Sequence, residues 1–258
     1  MKLNLSALKS IATIENDLWF GKDQITNVKK DKTTGIRYIP SSPIFEKEFG
    51  ISDLSTFMKM LVMYNEPVIS FNKSDLVISK KDLTGALTYR MSNENAMRFK
   101  IDLAESGNNA FNSCGDFLKS DSFYKFSIDE KMMNEIRSSA SFIRGKDANT
   151  FIKFEKDSND EEMRIVVYSP GCENLSTHIL KGENTASLGS YSKQLNIDAI
   201  PSSGSWDFYI FEGHNIEVKN RKGDKLKVAA KDTFLYGRSF IGDDDKKELL
   251  EWYSVFKS

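Results

Sequence analysis

The residues of the chain best suited to metal binding or nucleophilic catalysis are two histidines and two cysteines: His178, His214, Cys114 and Cys172. Neither histidine has a cysteine or an acid nearby at the spacing of zinc ligands. Cys172 and His178 are not accompanied by a third group that would mark them as a nucleophile and its base. The sequence therefore predicts no metal site, no cofactor and no enzymatic activity.

Two further patterns could bind phosphate or a cation. The small-residue runs 182–184 and 187–190 lack the Gly-Lys pair of a phosphate-binding P-loop. The acidic run Asp243–Asp245 has carboxylates that a divalent cation could bind, but an isolated acidic run is far more often solvated. Neither pattern indicates a ligand site.

Composition sets broader limits on function. The chain has 258 residues, 40% of them apolar, and a net charge of -1. A conventional DNA-binding domain is usually basic, because phosphate contacts supply most of its affinity. No run approaches the roughly 18 apolar residues of a membrane span. Two cysteines without a framework pattern favour a reducing compartment.

One order of elements recurs four times along the chain: a short helix, an apolar strand, a polar turn and another strand. The helical patterns fall at 5–14, 53–64, 127–137 and 195–200. Because strands outnumber helices and helices occur singly, the pattern predicts an α+β fold with antiparallel sheets. The stretch 104–116 is rich in Gly, Ser and Asn and predicts a connector. We therefore expect domains at 1–122, with a connector over about 104–122, and at 123–258.

The helices are predicted to bury one face each. Leu5, Leu8, Ile11 and Ala12 form the stripe of the first helix, and Leu54, Phe57, Leu61 and Tyr64 that of the second. Met133, Ile136, Ala140 and Ile143 form the stripe of the third. Basic residues lie off these stripes, at their edge or next to the helices: Lys2, Lys9, Lys59, Lys131, Arg137, Arg144, Lys146 and Lys193.

The C-terminal segment has a pattern of its own. Leu249, Leu250, Tyr253 and Phe256 have helical spacing, and Asp243–Asp245 would suit a helix N-terminus. This predicts a helical tail over about 243–258. Two interpretations stay open: the tail packs on its own subunit, or these four residues dock with a partner.

Several blocks resemble the sliding clamps of T-even-type bacteriophages, which are DNA polymerase processivity factors. Residues 1–3 with 7–14 are similar to the opening helix of that family. Residues 53–57 with 68–70 are similar to its second helix and following strand, and 128–137 to the start of its second domain. The resemblance covers most of residues 1–236 and gives no role for residues 243–258.

The resemblance implies a ring of three identical chains that encloses duplex DNA. Each chain would have two similar domains, with antiparallel sheets outside and short helices lining a central hole. The implied partners are DNA polymerase and an ATP-driven clamp loader, in the cytoplasm of an infected bacterial host. A ring that holds DNA by enclosure needs a basic inner surface only, so a net charge of -1 is compatible with it.

The resemblance also implies a role for the basic residues of the helices. Lys2, Lys9, Lys59, Lys131, Arg137, Arg144, Lys146 and Lys193 would face the DNA and attract phosphates without reading bases. The alternative is a single-stranded nucleic-acid-binding protein that stacks bases on exposed aromatic residues. Its candidates are Trp19, Phe20, Trp206 and Tyr209.

Overall fold

A computed structural model describes most of the chain, in two compact units. The described residues are 4–43, 45–64, 67–82, 84–119, 123–143, 149–157, 161–184, 189–212, 217–219, 225–227, 233–242 and 248–256. Unit 1 comprises 1–108 and 241–250, and unit 2 comprises 109–240 and 251–258. None of the helices in these ranges is long and apolar enough to cross a membrane.

Strands predominate over helices in the described residues. The helices are α1 (Leu5–Ala12), α2 (Leu54–Val62), α3 (Glu94–Leu118) and α4 (Glu130–Ile143), with a 3-10 helix at Ile197–Ala199. The strands up to α3 are β1 (Leu18–Phe20), β2 (Ile25–Val28), β3 (Thr34–Ile39), β4 (Phe49–Ile51), β5 (Val68–Asn72), β6 (Asp75–Ser79) and β7 (Ala86–Arg90). Those after α3 are β8 (Tyr124–Ile128), β9 (Phe151–Lys156), β10 (Glu162–Tyr168), β11 (Leu175–Asn184), β12 (Tyr191–Asn196), β13 (Trp206–Glu212), β14 (Glu217–Lys219), β15 (Lys225–Lys227), β16 (Thr233–Ile241) and β17 (Glu248–Phe256).

Unit 1 contains antiparallel strands in the order β3–β2–β1–β4 and a separate three-stranded sheet, β5–β6–β7. Helix α1 packs on β2 and β3. The core is aromatic: the ring of Phe20 stacks on Phe49 at 4.8 Å and meets the edge of Phe57 at 5.8 Å. Phe57 comes from α2, so the same cluster fixes that helix on the sheet.

Unit 2 contains antiparallel strands in the order β12–β9–β10–β11–β8–β13–β16. Helix α4 packs on β10 and β11, and β10 turns Met163, Ile165 and Val167 inward. Phe126 and Phe208 stack at 5.4 Å on the neighbouring strands β8 and β13. The alternation of buried and exposed residues along β10 is that of a sheet with one covered face.

The predicted connector at 104–122 contains the boundary between the two units at 108/109, but most of it is helical and not the loop that its composition indicates. Residues 94–118 form the 25-residue helix α3, which begins in unit 1 and ends in unit 2. Gly107 sits so close to β2 that a Cβ there would lie 2.5 Å from Cγ2 of Val28. Asn108 accepts a hydrogen bond from Thr26, and Phe111 is fully buried. These small and polar residues therefore serve close packing of a helix, which overrides their preference for loops.

The predicted helical tail is wrong. Residues 248–256 form the strand β17, and the described part of the segment contains no helix. Leu250, Tyr253 and Phe256 are buried, as is Trp252 between them. The indole Nε1 of Trp252 donates to the carbonyl of Ala199 at 2.9 Å. The segment therefore packs on its own chain, which was one of the two interpretations left open. It does so as a strand with both faces buried, and not as a helix.

Candidate nucleic-acid interface

Helix α1 presents one lysine to solvent. Asn4 caps the helix, because its side chain accepts hydrogen bonds from the amides of Ser6 and Ala7, both at 3.1 Å. Leu8 and Ile11 on the buried face have no exposed surface. Lys9 lies in the last turn and is exposed. Of the predicted stripe, Leu8 and Ile11 are buried and Leu5 and Ala12 are half-buried, while Ala7 and Ser10 are buried beside them.

Helix α2 is held at its N-terminus by a carboxylate. Asp53 accepts hydrogen bonds from the Thr56 amide at 3.0 Å and the Thr56 hydroxyl at 2.7 Å. The Asn16 side chain donates to the same carboxylate at 3.1 Å. These hydrogen bonds, first those of Thr56 and then that of Asn16, lower the pKa of Asp53 to about 2.

Asn16 joins helices α1 and α2, a contact that the sequence does not reveal. Its backbone carbonyl accepts from the Leu54 amide at 2.7 Å, and its side-chain oxygen accepts from the Ser55 amide at 2.9 Å. Asn16 follows the end of α1, so it fixes the start of α2 relative to α1. The contact between Asn16 and Asp53 spans 37 residues of sequence, so local sequence patterns do not indicate it.

The residues within α1 and α2 carry only positive charge, and the capping carboxylate of Asp53 lies just before α2. Leu54, Phe57 and Leu61 are buried, whereas Lys59 is exposed. Neither 5–12 nor 54–62 contains an acid, and α1 contacts α2. Lys9 and Lys59 therefore stand on neighbouring helices without an acid on either, an arrangement that attracts phosphate oxygens.

Helix α4 has a different charge. Its buried residues are the four predicted ones, Met133, Ile136, Ala140 and Ile143. Its charged residues are Glu130, Lys131, Glu135 and Arg137, which sum to zero. Lys131 is exposed and lies 3.9 Å from the carboxylate of Glu135 one turn later. The charges of α4 therefore cancel, whereas α1 and α2 each contain a lysine and no acid.

Arg137 lies at the edge of the buried stripe and interacts with its own unit. Its Nη2 donates to the carbonyls of Ile200 and, at 3.0 Å, Pro201, just after the 3-10 helix. Its Nη1 lies 3.9 Å from the carboxylate of Asp198. Burial lowers the pKa of Arg137, an effect opposed by Asp198. The guanidinium joins α4 to the segment after the 3-10 helix, so the structure gives it a role in packing.

The remaining predicted DNA-facing residues are placed as follows. Lys193 lies half-buried on β12, four residues before the 3-10 helix and not directly beside it. Lys2, Arg144 and Lys146 lie outside the described residues. The structure thus places Lys9 and Lys59 on two helices of unit 1 that contact each other. Lys131 and Arg137 share α4 in unit 2.

Of the four aromatic residues of the single-strand-binding alternative, two are buried and two, Trp19 and Tyr209, are half-buried. Phe20 is fully buried and Trp206 is 1% exposed. The indole of Trp206 donates to the carbonyl of Ser203 at 2.8 Å. Tyr209 is half-buried against Phe123 and Tyr236. Bases need exposed rings beside cations, so this alternative loses its main support.

The histidine and cysteine pattern gives no site in the described part of the chain. The ring of His178 contacts the hydroxyl of Ser176 at 3.1 Å. Cys114 is buried and Cys172 half-buried, and the two do not form a disulfide. In the described residues, no group of three His, Cys, Asp or Glu side chains is arranged to hold a metal ion. His214 and Asp243–Asp245 lie outside those residues.

Comparison with known proteins gives the class of fold. No protein-family model and no curated protein matches the sequence. Among solved structures, the DNA polymerase sliding clamp of Bacillus subtilis aligns with 98% of this chain at a TM-score of 0.50 and 8% identity. A protein from Eubacterium rectale assigned as a DNA polymerase III beta subunit aligns with 99% of the chain, at a TM-score of 0.49 and 12% identity.

The chain has the sliding-clamp fold, a mixed α+β architecture of large antiparallel sheets and few helices. The predicted fold class is confirmed. The chain spans 62% and 65% of the lengths of the two matched structures. At 8% and 12% identity the comparison establishes the fold and leaves function to be argued from the residues.

Proposed function

We propose that the protein is a non-enzymatic DNA sliding clamp of the T-even phage type. Three chains form a closed ring around duplex DNA and tether the replicative polymerase, and an ATP-driven clamp loader opens the ring. The ring acts in the cytoplasm of the infected bacterial host. One observation carries the proposal: a chain with the sliding-clamp fold has two neighbouring helices, α1 and α2, whose exposed charges are Lys9 and Lys59 alone.

The charge pattern suits a ring that moves along DNA. A net charge of -1 would give a conventional DNA-binding protein little affinity, because affinity grows with the number of phosphates neutralised. Enclosure removes that requirement, since a linked ring stays on DNA without strong contacts. A few lysines that touch phosphates and no bases let the ring slide in any sequence.

Two measurements test the proposal. Sedimentation or light scattering should give a mass of three chains, 87.9 kDa (3 × 29.3), because closed cyclic symmetry is the usual way to build a ring. A single-chain mass at high concentration contradicts the proposal.

The second measurement tests enclosure directly. The protein is dissociated by dilution and reconcentrated with nicked circular DNA, so that rings assemble around the duplex. Gel filtration at high salt should then retain protein on the circle and release it once the circle is linearised. A linear duplex with protein-blocked ends is the control and should retain the ring. Equal release from circular and linear DNA contradicts enclosure.

A further inference from the structure

One edge of strand β11 is unpaired over most of its length. Its residues 175–181 pair with β10 on one side, whereas only 182–184 pair with β8 on the other. No other strand of the described residues lies along 175–181. An unpaired edge exposes backbone N–H and C=O groups that can hydrogen-bond with a strand of another chain. The β11 edge therefore has room for one further strand.

The side chains of this edge favour contact over solvent. Native proteins protect a free edge with charged residues or proline. Residues 175–181 contain no proline, no acid and a single lysine, Lys181. Leu175 and Ile179 are 61% and 57% exposed, and because they stand four residues apart they lie on one face of the strand. An apolar pair on a long free edge is typical of a surface that another strand covers.

Strand β7 has a second free edge. It is the last strand of the β5–β6–β7 sheet and, among the described residues, pairs with β6 alone. Four of its five residues, 86–89, are uncharged. The fifth, Arg90, lies 3.0 Å from the carboxylate of Asp75. The β7 edge therefore brings no excess charge to a strand that pairs with it.

The order of strands indicates which edge fits β11. In unit 1 the order β4–β1–β2–β3 follows helix α1, and in unit 2 the same order, β12–β9–β10–β11, follows helix α4. β3 and β11 are thus equivalent strands. Along the chain, α2 is followed by the sheet order β5–β6–β7, and the 3-10 helix by the sheet order β13–β16–β17. β7 and β17 are therefore equivalent as well.

These equivalent strands already pair once. β17, whose residues 248–250 belong to unit 1, is the sheet neighbour of β3. The Tyr38 hydroxyl of β3 donates a hydrogen bond to the Glu248 carboxylate at the start of β17. By the same rule, β7 is the neighbour that the edge of β11 lacks. Both edges are unpaired in the described part of the chain, so each can pair with the other edge of a second copy.

We propose that β11 of one copy pairs with β7 of the next, head to tail, and that this edge pairing joins the chains of the ring. The choice of a second copy rests on the proposed function, since a closed ring of three needs two different surfaces on each chain. Pairing of β11 with another β11 would stop at two chains. Pairing of β11 with β7 leaves one free edge of each kind until the ring closes.

Two charge variants of the full-length protein test the pairing, one on each edge. Leu175→Lys with Ile179→Lys places charges on the exposed face of β11, and Ala86→Lys with Thr88→Lys does the same on β7. Edge lysines oppose the addition of a strand. The concentration of half-assembly should therefore rise about tenfold or more in each variant. Sedimentation should give the mass of one chain, 29.3 kDa, where the natural protein is assembled.

The control is Phe99→Lys with Phe142→Lys. It adds the same charge at two apolar residues that lie on helices and are 54% and 85% exposed. The control should assemble like the natural protein. Thermal unfolding at a concentration where every protein is a single chain should give similar midpoints for all three variants, because only exposed residues change.

Mixing the two edge variants distinguishes head-to-tail pairing from other contacts. The β11 variant keeps an intact β7 edge, and the β7 variant keeps an intact β11 edge. An equimolar mixture should therefore form pairs of one copy of each, 58.6 kDa (2 × 29.3), and nothing larger. A β7 variant that assembles by itself like the natural protein, or a mixture that keeps the mass of a single chain, overturns the proposal.

The closed ring and the edge pairing fail under different outcomes. If the natural protein forms open chains of more than three copies that both edge variants abolish, the closed ring of three is contradicted and the pairing stands. If the natural protein has the mass of three chains and the edge variants keep that mass, the ring stands and the pairing is overturned. Equal loss of assembly in the control overturns the pairing, because added charge alone then explains the loss. A natural protein that stays a single chain at high concentration overturns both.

Discussion

The hydroxyl of Tyr236 donates a hydrogen bond to the buried carboxylate of Glu251. Glu251 is 1% exposed, and the Nε of Arg238 lies 3.7 Å from the same carboxylate oxygen. Arg238 also donates to the Tyr236 hydroxyl at 2.9 Å. Burial, and next the charge of Glu251, raises the pKa of Tyr236, so this hydroxyl keeps its proton. A buried carboxylate is tolerated only when such donors surround it.

Tyr236→Phe should therefore destabilise the protein by about 1–3 kcal/mol, because the substitution leaves the Glu251 carboxylate with one donor fewer. Denaturant unfolding measures the change. Tyr168→Phe is the matched control, since its hydroxyl donates to the Gln194 side chain at an exposed position. The control should stay within about 0.5 kcal/mol of the natural protein. Equal stability of the two variants would show that the buried carboxylate does not depend on Tyr236.

Trp252→Ala should cost about 3–5 kcal/mol of unfolding free energy, because a fully buried indole is lost and a cavity remains. Trp252 meets the edge of Phe208 at 5.9 Å and has no exposed surface. Phe142→Ala provides the comparison, because Phe142 is 85% exposed. If Trp252→Ala unfolds no more easily than Phe142→Ala, the final strand is a dispensable tail and not part of the core.

The helices α1, α2 and α4 could be predicted because each is short and buries one face at regular helical spacing. For α4 all four buried residues follow from the pattern of Met133, Ile136, Ala140 and Ile143. Local spacing suffices when a helix covers one sheet. The exposure of Lys9 and Lys59 could be predicted in the same way, because both lie away from the buried face of their helix.

Helix α3 and strand β17 could not be predicted in the same way. In α3 the composition of a loop conceals buried positions at helical spacing, among them Leu103, Gly107 and Phe111, and only contact with β2 explains Gly107. In β17 both faces are buried, so helical spacing and strand alternation fit equally well. The hydrogen bonds of Arg137 could not be predicted either, because its carbonyl partners lie 63 and 64 residues away.

Asp53 predicts a pH dependence of stability. Its hydrogen bonds lower the pKa from the usual 3.8 to about 2 in the folded state. Folding therefore favours the ionised form, and the resulting stability is present above about pH 4. It is lost as the pH falls towards about 2. The measurement is the denaturation midpoint from about pH 5 to about pH 2 for the natural protein and for Asp53→Asn, which keeps a cap but does not titrate.

Other carboxylates titrate in both proteins and cancel in the difference between them. The stability advantage of the natural protein over the Asp53→Asn variant should shrink as the pH falls. A difference that stays constant across this pH range would mean that the Thr56 and Asn16 hydrogen bonds do not favour the ionised carboxylate.

Arg137→Met should destabilise unit 2 by about 1–3 kcal/mol, because the carbonyls of Ile200 and Pro201 lose their donor. Lys131→Met on the same helix is the control, since the Lys131 side chain is 86% exposed. Denaturant unfolding distinguishes them. If both variants lose little and similar stability, the hydrogen bonds of Arg137 do not stabilise unit 2, and its side chain is available to contact DNA.

The neighbouring lysines of α1 and α2 give the most direct test of the DNA-facing surface. Lys9→Glu with Lys59→Glu reverses two exposed charges without touching a buried residue. Because each phosphate contact contributes to affinity through counterion release, we expect about tenfold or more weaker binding to duplex DNA at about 0.1 M salt. The oligomeric mass should not change. Since screening shortens the reach of a charge to about 3 Å at about 1 M salt, the difference should vanish there.

The control for this prediction is Lys22→Glu with Lys81→Glu, which reverses two exposed lysines outside the helices of unit 1. It changes net charge by the same amount, so any general repulsion of DNA affects both variants alike. A specific surface requires that the helix variant lose affinity while the control stays close to the natural protein. If DNA binding weakens equally in the two variants, binding depends only on the net charge of the chain. In that case α1 and α2 do not face DNA.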